Sequence, residues 1–345
     1  MIRISQLKLP AGHSKTELYH KAAKALHIKS EQIASLQIRR QSIDARKKPD
    51  IFLIYVVDVT LNGISEQSCV SRSKNKDVSI VTERPYQFPK PGTKTLRRRP
   101  VIIGSGPAGL FCCYMLAQNG YRPILLERGK DVESRKKDVE AFWNGGPLNP
   151  ESNVSFGEGG AGTFSDGKLT TRIGDELCGF VTEVFLQHGA PAEIAWKQKP
   201  HVGTDLLRGV ITSIRKEIES LGGEVHFNTA LTGFERKNGA LTGILTTAGS
   251  FPCEALVFAV GHSARDTFGM LMDSSRSVSA SGQSTCRARS RKAFTTRQLA
   301  TRPCPGASTS SPSMWGSGAS IRSACARAAR WWPRPARKAV WSPMA

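Results

Sequence analysis

The first residues of the chain alternate between apolar and polar side chains, a pattern typical of a half-buried β-strand over 2–9. Ser14 and Glu17 have the spacing of a capping box, which predicts that a helix begins there. Further strands are predicted to begin at Leu36 and to run over Ile51–Leu61. The order strand, helix, strand, strand predicts a small α+β domain.

Prolines separate this domain from the rest of the chain. They stand at positions 85, 89 and 91. Because proline fixes its own backbone and supplies no N–H group to a β-ladder, segment 85–92 is predicted to be an extended linker. The N-terminal domain and its linker therefore span residues 1–92.

A glycine motif of the form G-x-G-x-x-G stands between a predicted strand and a predicted helix in the second part of the chain. The strand is Pro100–Gly104, the helix is Leu110–Gln118, and a second apolar strand covers Arg122–Glu127. Strand, glycine motif, helix and acidic strand end occur within about 30 residues, as in a dinucleotide-binding βαβ unit. We therefore predict an α/β fold with a Rossmann-like domain over residues 96–273.

The glycines of this motif have separate physical roles. Gly104 permits the tight turn, Gly106 leaves room for a pyrophosphate against the backbone, and Gly109 lets the helix pack close to the sheet. The free N–H groups at the helix N-terminus favour phosphate binding. Glu127 stands where a carboxylate can accept hydrogen bonds from ribose hydroxyls.

A second glycine-rich stretch covers residues 152–169. Its glycines are at positions 157, 159, 160, 162 and 167. Glycines at this density allow the backbone to approach a flat or phosphorylated ligand closely. Asp166 and Lys168 are the polar candidates for a substrate site here, with a local ion pair or a cap as the alternative interpretation for each.

Apolar side chains at helical spacing predict a further helix over 206–221. A strand is predicted to begin at Glu224 and to continue through Leu231, and residues 241–245 are predicted to return beside it as a hairpin. These elements extend the predicted α/β domain.

The fully apolar run 255–260 suits a buried parallel strand. Because ligands bind beyond the carboxyl ends of such strands, His262 and Arg265 are candidate site residues. Ordinary loop positions are the alternative interpretation for both. The cysteines form no C-x-x-C pair and no zinc-ligand spacing, so no metal site is predicted.

Charge divides the chain of 345 residues, with its net charge of +21, into two unequal parts. Residues 1–273 carry 36 Lys/Arg and 28 Asp/Glu, whereas residues 274–345 carry 13 Lys/Arg and no acidic residue. Ile, Leu, Val and Phe together occur only five times in this last segment, too few to offset the entropy of ordering it. Residues 274–345 are therefore predicted to be a disordered basic tail.

The glycine motif and the glycine-rich stretch together carry a resemblance to a known family. Residues 100–128, 152–173 and 255–268 resemble the FAD-dependent dehydrogenases of bacteria that are related to glutathione-reductase-type flavoproteins. The resemblance extends over roughly residues 1–270, and the small N-terminal domain fits it. It implies an oxidoreductase that passes hydride through bound FAD, with NAD(P)H as a candidate electron donor. It assigns neither a substrate nor a catalytic acid or base.

The resemblance also implies a set of cofactor contacts. Arg128 would lie beside Glu127 at the adenosine ribose, the backbone near Leu231 would meet the adenine, and Gly261 would belong to the same site. The pyrophosphate would be held by Gly104, Ser105, Gly106, Pro107, Ala108 and Gly109. The pyrophosphate and flavin would lie near Gly159, Gly160, Ala161, Gly162 and Thr163.

The basic tail departs from the family pattern, in which a substrate domain would follow. The abrupt loss of acidic residues at about residue 273 favours a shift of reading frame, which would leave the chain truncated and weakly active. The rival hypothesis is a basic arm that binds nucleic acid, with FAD serving RNA modification. A third reading is a non-catalytic flavin-binding remnant.

Partners and location are expectations from composition. The longest apolar run, residues 51–57, is far shorter than a membrane span, and the N-terminus lacks the pattern of a signal peptide. We expect a cytoplasmic protein that meets a small-molecule substrate and no membrane. Outside the rival tail hypothesis, we expect no nucleic-acid partner.

Overall fold

The computed structural model describes residues 1–82, 85–93, 95–165, 167–170 and 176–280. The Asp166 prediction and most of the tail predictions therefore lie outside the described residues. Within these residues, no helix has both the length and the apolar character needed to cross a membrane.

The N-terminal domain is a four-stranded antiparallel sheet in the order β2-β3-β1-β4, with two helices. Its elements are β1 (Ile2–Pro10), α1 (Lys15–Leu26), β2 (Ile33–Lys47), β3 (Asp50–Leu61), α2 (Glu66–Ser73) and β4 (Val78–Ile80). The predicted capping box is confirmed, because Ser14 Oγ accepts from Glu17 N and Glu17 Oε2 accepts from Ser14 N. The sequence did not predict α2 or β4, which are short and carry few apolar residues.

The proline-rich segment 85–92 forms no helix or strand and packs against the second part of the chain. Tyr86 meets Phe180 with ring centroids 4.9 Å apart, and Phe88 meets Tyr121 at 6.4 Å. The segment thus crosses from one domain to the other as a strap held by aromatic contacts.

A parallel sheet of order β11-β5-β6-β7 forms the centre of the second part. Its first βαβ unit is β5 (Val101–Ile103), α3 (Pro107–Gln118) and β6 (Ile124–Leu126). The helices that follow are α4 (Val132–Trp143), α5 (Glu176–Gln187) and α6 (Thr204–Ser220). The chain continues with β7 (Glu224–His226), β8 (Leu231–Lys237), β9 (Ala240–Thr246), β10 (Gly249–Pro252), β11 (Leu256–Phe258) and α7 (Arg265–Ala280). The predicted α/β, Rossmann-like fold class is confirmed.

Both faces of the central sheet are buried, although its strands are only three residues long. Ile102 and Leu125 pack among the helices, whereas Val101, Ile103 and Leu126 pack against the antiparallel sheet of β8, β9 and β10. This alternation follows from the two-residue period of a strand. It also explains why the strands are apolar throughout rather than at every second position.

Two predicted boundaries were wrong. Residues 228–231 do not continue β7, because Asn228 takes a left-handed conformation (φ 52°) and turns the chain out of the parallel sheet into β8. Helix α7 runs through Ala280, beyond the predicted start of the tail at residue 274. Once a helix has begun, each added residue gains a backbone hydrogen bond at small cost, so composition alone marks its end poorly.

Candidate functional site

A cleft of about 390 Å³ opens at the carboxyl ends of the parallel strands. It lies where the strand order reverses, since β6 is on one side of β5 and β11 on the other. This is the usual ligand position in a doubly wound sheet. Its volume lies within the range of small-molecule sites. Predicted residues that line it are Gly104, Gly106, Pro107, Ala108, Glu127, Arg128, Gly160, Ala161, Leu231, Gly261 and His262.

The three motif glycines differ in what surrounds them. Gly104 has φ +96°, and a Cβ there would lie 2.7 Å from the carbonyl oxygen of Ala259. A Cβ on Gly109 would overlap the carbonyl oxygen of Gly104. A Cβ on Gly106 would meet nothing within 4 Å. Gly104 and Gly109 are therefore required by packing, whereas the space beside Gly106 belongs to the open cleft.

Helix α3 presents an uncapped N-terminus to this space. Gly106 is its N-cap residue and offers no side chain, and proline occupies the first turn. The first N–H groups of a helix have no intrahelical acceptor and carry a partial positive charge. The cleft thus combines free donors, positive potential and room for an anion at one point.

The Glu127 carboxylate is buried and accepts four hydrogen bonds from the protein itself. Oε2 accepts from the N–H and the Oγ–H of Ser105, at 2.7 and 2.9 Å. Oε1 accepts from the N–H groups of Gly129 and Gly157, both at 3.0 Å. A carboxylate has about four lone-pair positions. A ribose hydroxyl could bond here only by displacing one of these donors, so the ribose role of Glu127 stays a prediction.

Arg135 organises the glycine-rich loop, and sequence reasoning missed it. Its side chain is fully buried and donates to four backbone carbonyls and to Thr163 Oγ1. The carbonyls belong to Asn153, Val154, Glu158 and Gly160, at 2.6–3.0 Å. Burial lowers the pKa of Arg135 to about 10, so it remains charged at neutral pH. One guanidinium therefore binds the backbone of the glycine-rich loop at four positions.

A buried ion pair fixes the same loop from the other side. Glu158 is fully buried, pairs with Arg215 Nε of α6 at 2.7 Å and accepts from Val132 N at 2.9 Å. Burial raises the pKa of Glu158, against the opposing effect of the Arg215 charge. The loop is joined to the first βα turn by Gly159 N, which donates to Ser105 O at 2.9 Å.

Arg128 lines the part of the cleft where the adenosine is predicted to lie. It pairs with Asp266 of α7 at 2.6 Å and with Glu151 at 2.8 Å, and its Cζ atom lies 4.6 Å from the Phe156 ring centroid. The hydrogen bonds with Asp266 raise the pKa of Arg128 and lower that of Asp266. Arg128 thus ties α7 and the loop before Phe156 to the end of β6.

Several predicted residues lie away from the cleft lining. Ser105 and Thr163 are buried and use their hydroxyls within the protein. Lys168 forms an isolated antiparallel β-bridge through its backbone with His201, and Arg265 begins α7 with an exposed side chain. Neither residue lines the cleft beside His262. Further predicted residues that do not line the cleft are Gly109, Gly159 and Gly162. The substrate-site roles of Lys168 and Arg265 therefore stay predictions.

Other residues that line the cleft belong to no sequence motif and were not predicted. Phe156, Phe258 and Phe268 supply aromatic surface, and Thr229 and Ala230 bring backbone to the same edge. Thr229 and Ala230 reach it because the chain turns between β7 and β8. Phe156 could have been suspected from its place at the start of the glycine-rich loop.

Cys112 and Cys113 of α3 pack in the apolar core of the second part. Burial raises the pKa of Cys112 to about 11 and raises that of Cys113 further. Since the thiolate is the reactive form, we expect neither to react with iodoacetamide at about pH 8 in the folded protein. Peptide mass mapping should find both modified only after denaturation. Modification of Cys112 in the folded protein at the rate of an exposed cysteine would contradict this prediction.

Comparison with known proteins finds two family matches within the chain. Residues 102–142 match the NAD(P)-binding Rossmann-like domain family, and residues 1–60 match a domain of unknown function, DUF8436. An uncharacterized protein of Clostridium beijerinckii is 49% identical over 270 residues, which is 78% of this chain. The chain covers 50% of the length of that relative.

Solved structures overlap with parts of the chain. Glycine oxidase from Bacillus cereus is 14% identical with a TM-score of 0.33, covering 47% of this chain and 55% of its own. An L-amino acid deaminase from Proteus vulgaris is 16% identical with a TM-score of 0.28, covering 54% and 59%. Thioredoxin reductase from Lactococcus lactis is 18% identical with a TM-score of 0.26, covering 47% and 35%. Scores this low carry no information on activity.

Proposed function

We propose that the cleft binds FAD in an extended form and that the chain supplies the cofactor-binding part of a flavin-dependent oxidoreductase. The observation that carries this proposal is the open position at Gly106 in front of the uncapped N-terminus of α3. A diphosphate fits this position, because it needs donors, positive potential and backbone without side chains.

The cleft residues suit the diphosphate and the adenosine of the cofactor. Gly106, Ala108 and Gly160 would hold the diphosphate, while Arg128 and the backbone near Leu231 would surround the adenosine. When bound, the flavin would supply hydride transfer, with NAD(P)H as a candidate donor. The protein would orient the cofactor and exclude water, and the exposed rings of Phe258 and Phe268 are suited to that task.

The cofactor can be identified by releasing it from purified protein. We expect a yellow protein whose visible absorbance is bleached by dithionite, and about one FAD per chain when the denatured supernatant is separated by chromatography. FAD and NAD(P) both contain an adenosine diphosphate, so evidence of diphosphate binding does not distinguish them. The released nucleotide itself must be identified. Bound NAD(P) without flavin, or an empty protein that takes up no added FAD, would contradict the proposal.

We further propose that the chain has three parts by sequence, 1–92, 96–273 and 274–345, and that the last, whose first residues complete α7, is read in a shifted frame. The support is compositional, since acidic residues stop abruptly at Asp273. On this proposal the chain by itself is a weak catalyst. Translating the coding DNA in all three frames after codon 273 tests it. We expect another frame to restore Asp and Glu with periodic apolar residues, and the lack of such a frame would refute it.

A further inference from the structure

Arg208 of α6 is a partly buried cation that has no anionic partner among the residues that the structure describes. Its Nε atom is shielded from solvent and has no hydrogen-bond partner, and no carboxylate of the described chain pairs with its guanidinium. Removing a charge from water without a partner costs free energy. A guanidinium in this position therefore gains from binding an anion, and its outer nitrogens donate no hydrogen bond to the described residues.

Arg215, seven residues later on the same helix, is the compensated counterpart. Its guanidinium donates to Glu158 at 2.7 Å and to Glu219 at 3.4 Å. Seven residues are close to two helical turns, so both arginines lie on the same side of α6. Two arginines on one side of the same helix thus differ: Arg215 has two carboxylate partners, and Arg208 has none among the described residues.

One aromatic ring lies against the Arg208 guanidinium, and a second aromatic side chain packs on that ring. Its Cζ atom lies 5.2 Å from the Phe164 ring centroid, and Trp143 meets the same Phe164 ring edge-on, with centroids 6.1 Å apart. Trp143 is 62% exposed and Phe142 is 42% exposed. The Phe164 ring therefore lies between the Arg208 guanidinium and the exposed side chain of Trp143.

The glycine-rich loop connects this position to the cofactor cleft. Residues Gly160–Phe164 form a short 3-10 helix within this loop. Its first residues, Gly160 and Ala161, line the cleft, and Phe164 is its last residue. The buried Arg135 also lies against Phe164, at 4.8 Å, but its donors are occupied by the loop. The charge of Arg208 adds to burial in lowering the pKa of Arg135, a repulsion that a bound anion would relieve.

We propose that Arg208, Phe164 and Trp143 form a binding site for an organic carboxylate with an apolar body. The outer nitrogens of Arg208 hold the carboxylate, whose planar geometry matches the guanidinium fork. The exposed ring of Trp143 covers the apolar body. Its assignment as the substrate site rests on the proposed function, since the loop that carries Phe164 also lines the cofactor cleft.

Benzoate, with benzamide as its uncharged counterpart, tests this site by isothermal titration of the full chain. We expect benzoate to bind at least about tenfold more tightly than benzamide, because hydrogen bonds to a charged group are the stronger ones. Arg208→Gln should lower benzoate affinity by about tenfold or more, and Arg208→Lys by less. Trp143→Ala should weaken the binding of benzoate and benzamide alike.

Lys216→Gln is the matched control, because it removes the same charge from an exposed position of the same helix. It should leave benzoate affinity unchanged. Equal benzoate affinity in Arg208→Gln and the parent, with both folded by circular dichroism, would overturn the site. Flavin content is measured on the same samples. Benzoate binding without flavin would support the site and remove the proposed function, whereas flavin binding without benzoate binding would overturn the site alone.

Discussion

The variant Gly106→Val should purify as a folded protein without flavin. A Cβ at this position meets no protein atom within 4 Å, so the new side chain enters the cleft and not the core. It would occupy the space in front of the α3 N-terminus, where the diphosphate needs direct contact with backbone N–H groups. We expect the visible flavin absorbance to be lost while the thermal midpoint without cofactor stays close to that of the parent. A variant that keeps a full complement of FAD would refute this placement.

Two further glycines provide the controls for this substitution. Gly179→Val makes the same change at an exposed position of α5, where a Cβ also meets nothing within 4 Å, and should retain flavin. Gly109→Ala adds a Cβ that overlaps the carbonyl oxygen of Gly104, so it should lower stability even without cofactor. The three variants separate loss of the ligand site from loss of the fold. If Gly106→Val were as unstable as Gly109→Ala, its flavin loss would say nothing about the cleft.

The glycine turn was predictable because its determinants are local. Gly104, Gly106 and Gly109 lie within six consecutive residues, and the strand and helix beside them have clear apolar patterns. The same holds for the capping box of Ser14 and Glu17. In each case the physical requirement and the residues that meet it are a few positions apart.

The supports of the site could not be predicted in this way. Arg135 is one of several charged residues in α4, and its acceptors are backbone carbonyls 18 to 25 positions away, which carry no side-chain signature. Glu158 looks like a loop carboxylate until α6 brings Arg215 to it. The turn at Asn228 was missed because the residues on both sides of it favour strands, and the turn is set by a left-handed backbone conformation.

Replacing Arg135 should give the largest loss of stability among the substitutions considered. Arg135→Met fills much of the same volume but leaves four backbone carbonyls of the glycine-rich loop, buried or partly buried, and the hydroxyl of Thr163 without this donor. Unsatisfied buried polar groups and broken buried charge networks cost about 3–5 kcal/mol. For a domain of this size, that corresponds to a fall in thermal midpoint of roughly 6–20 °C. Differential scanning calorimetry of parent and variant measures it.

Lys137→Met is the control, since it makes the same replacement of a cation two residues away on the exposed side of α4. It should change the free energy of unfolding by less than about 0.5 kcal/mol. Arg135→Lys keeps the charge but can reach fewer of the carbonyls, so it should fold with faster proteolytic cleavage within residues 152–165. Because Gly159 and Gly160 of that loop lie against the first βα turn, it should also bind flavin more weakly. A thermal midpoint for Arg135→Met equal to that of Lys137→Met would mean that the loop is held by its backbone and by Glu158, and not by this guanidinium.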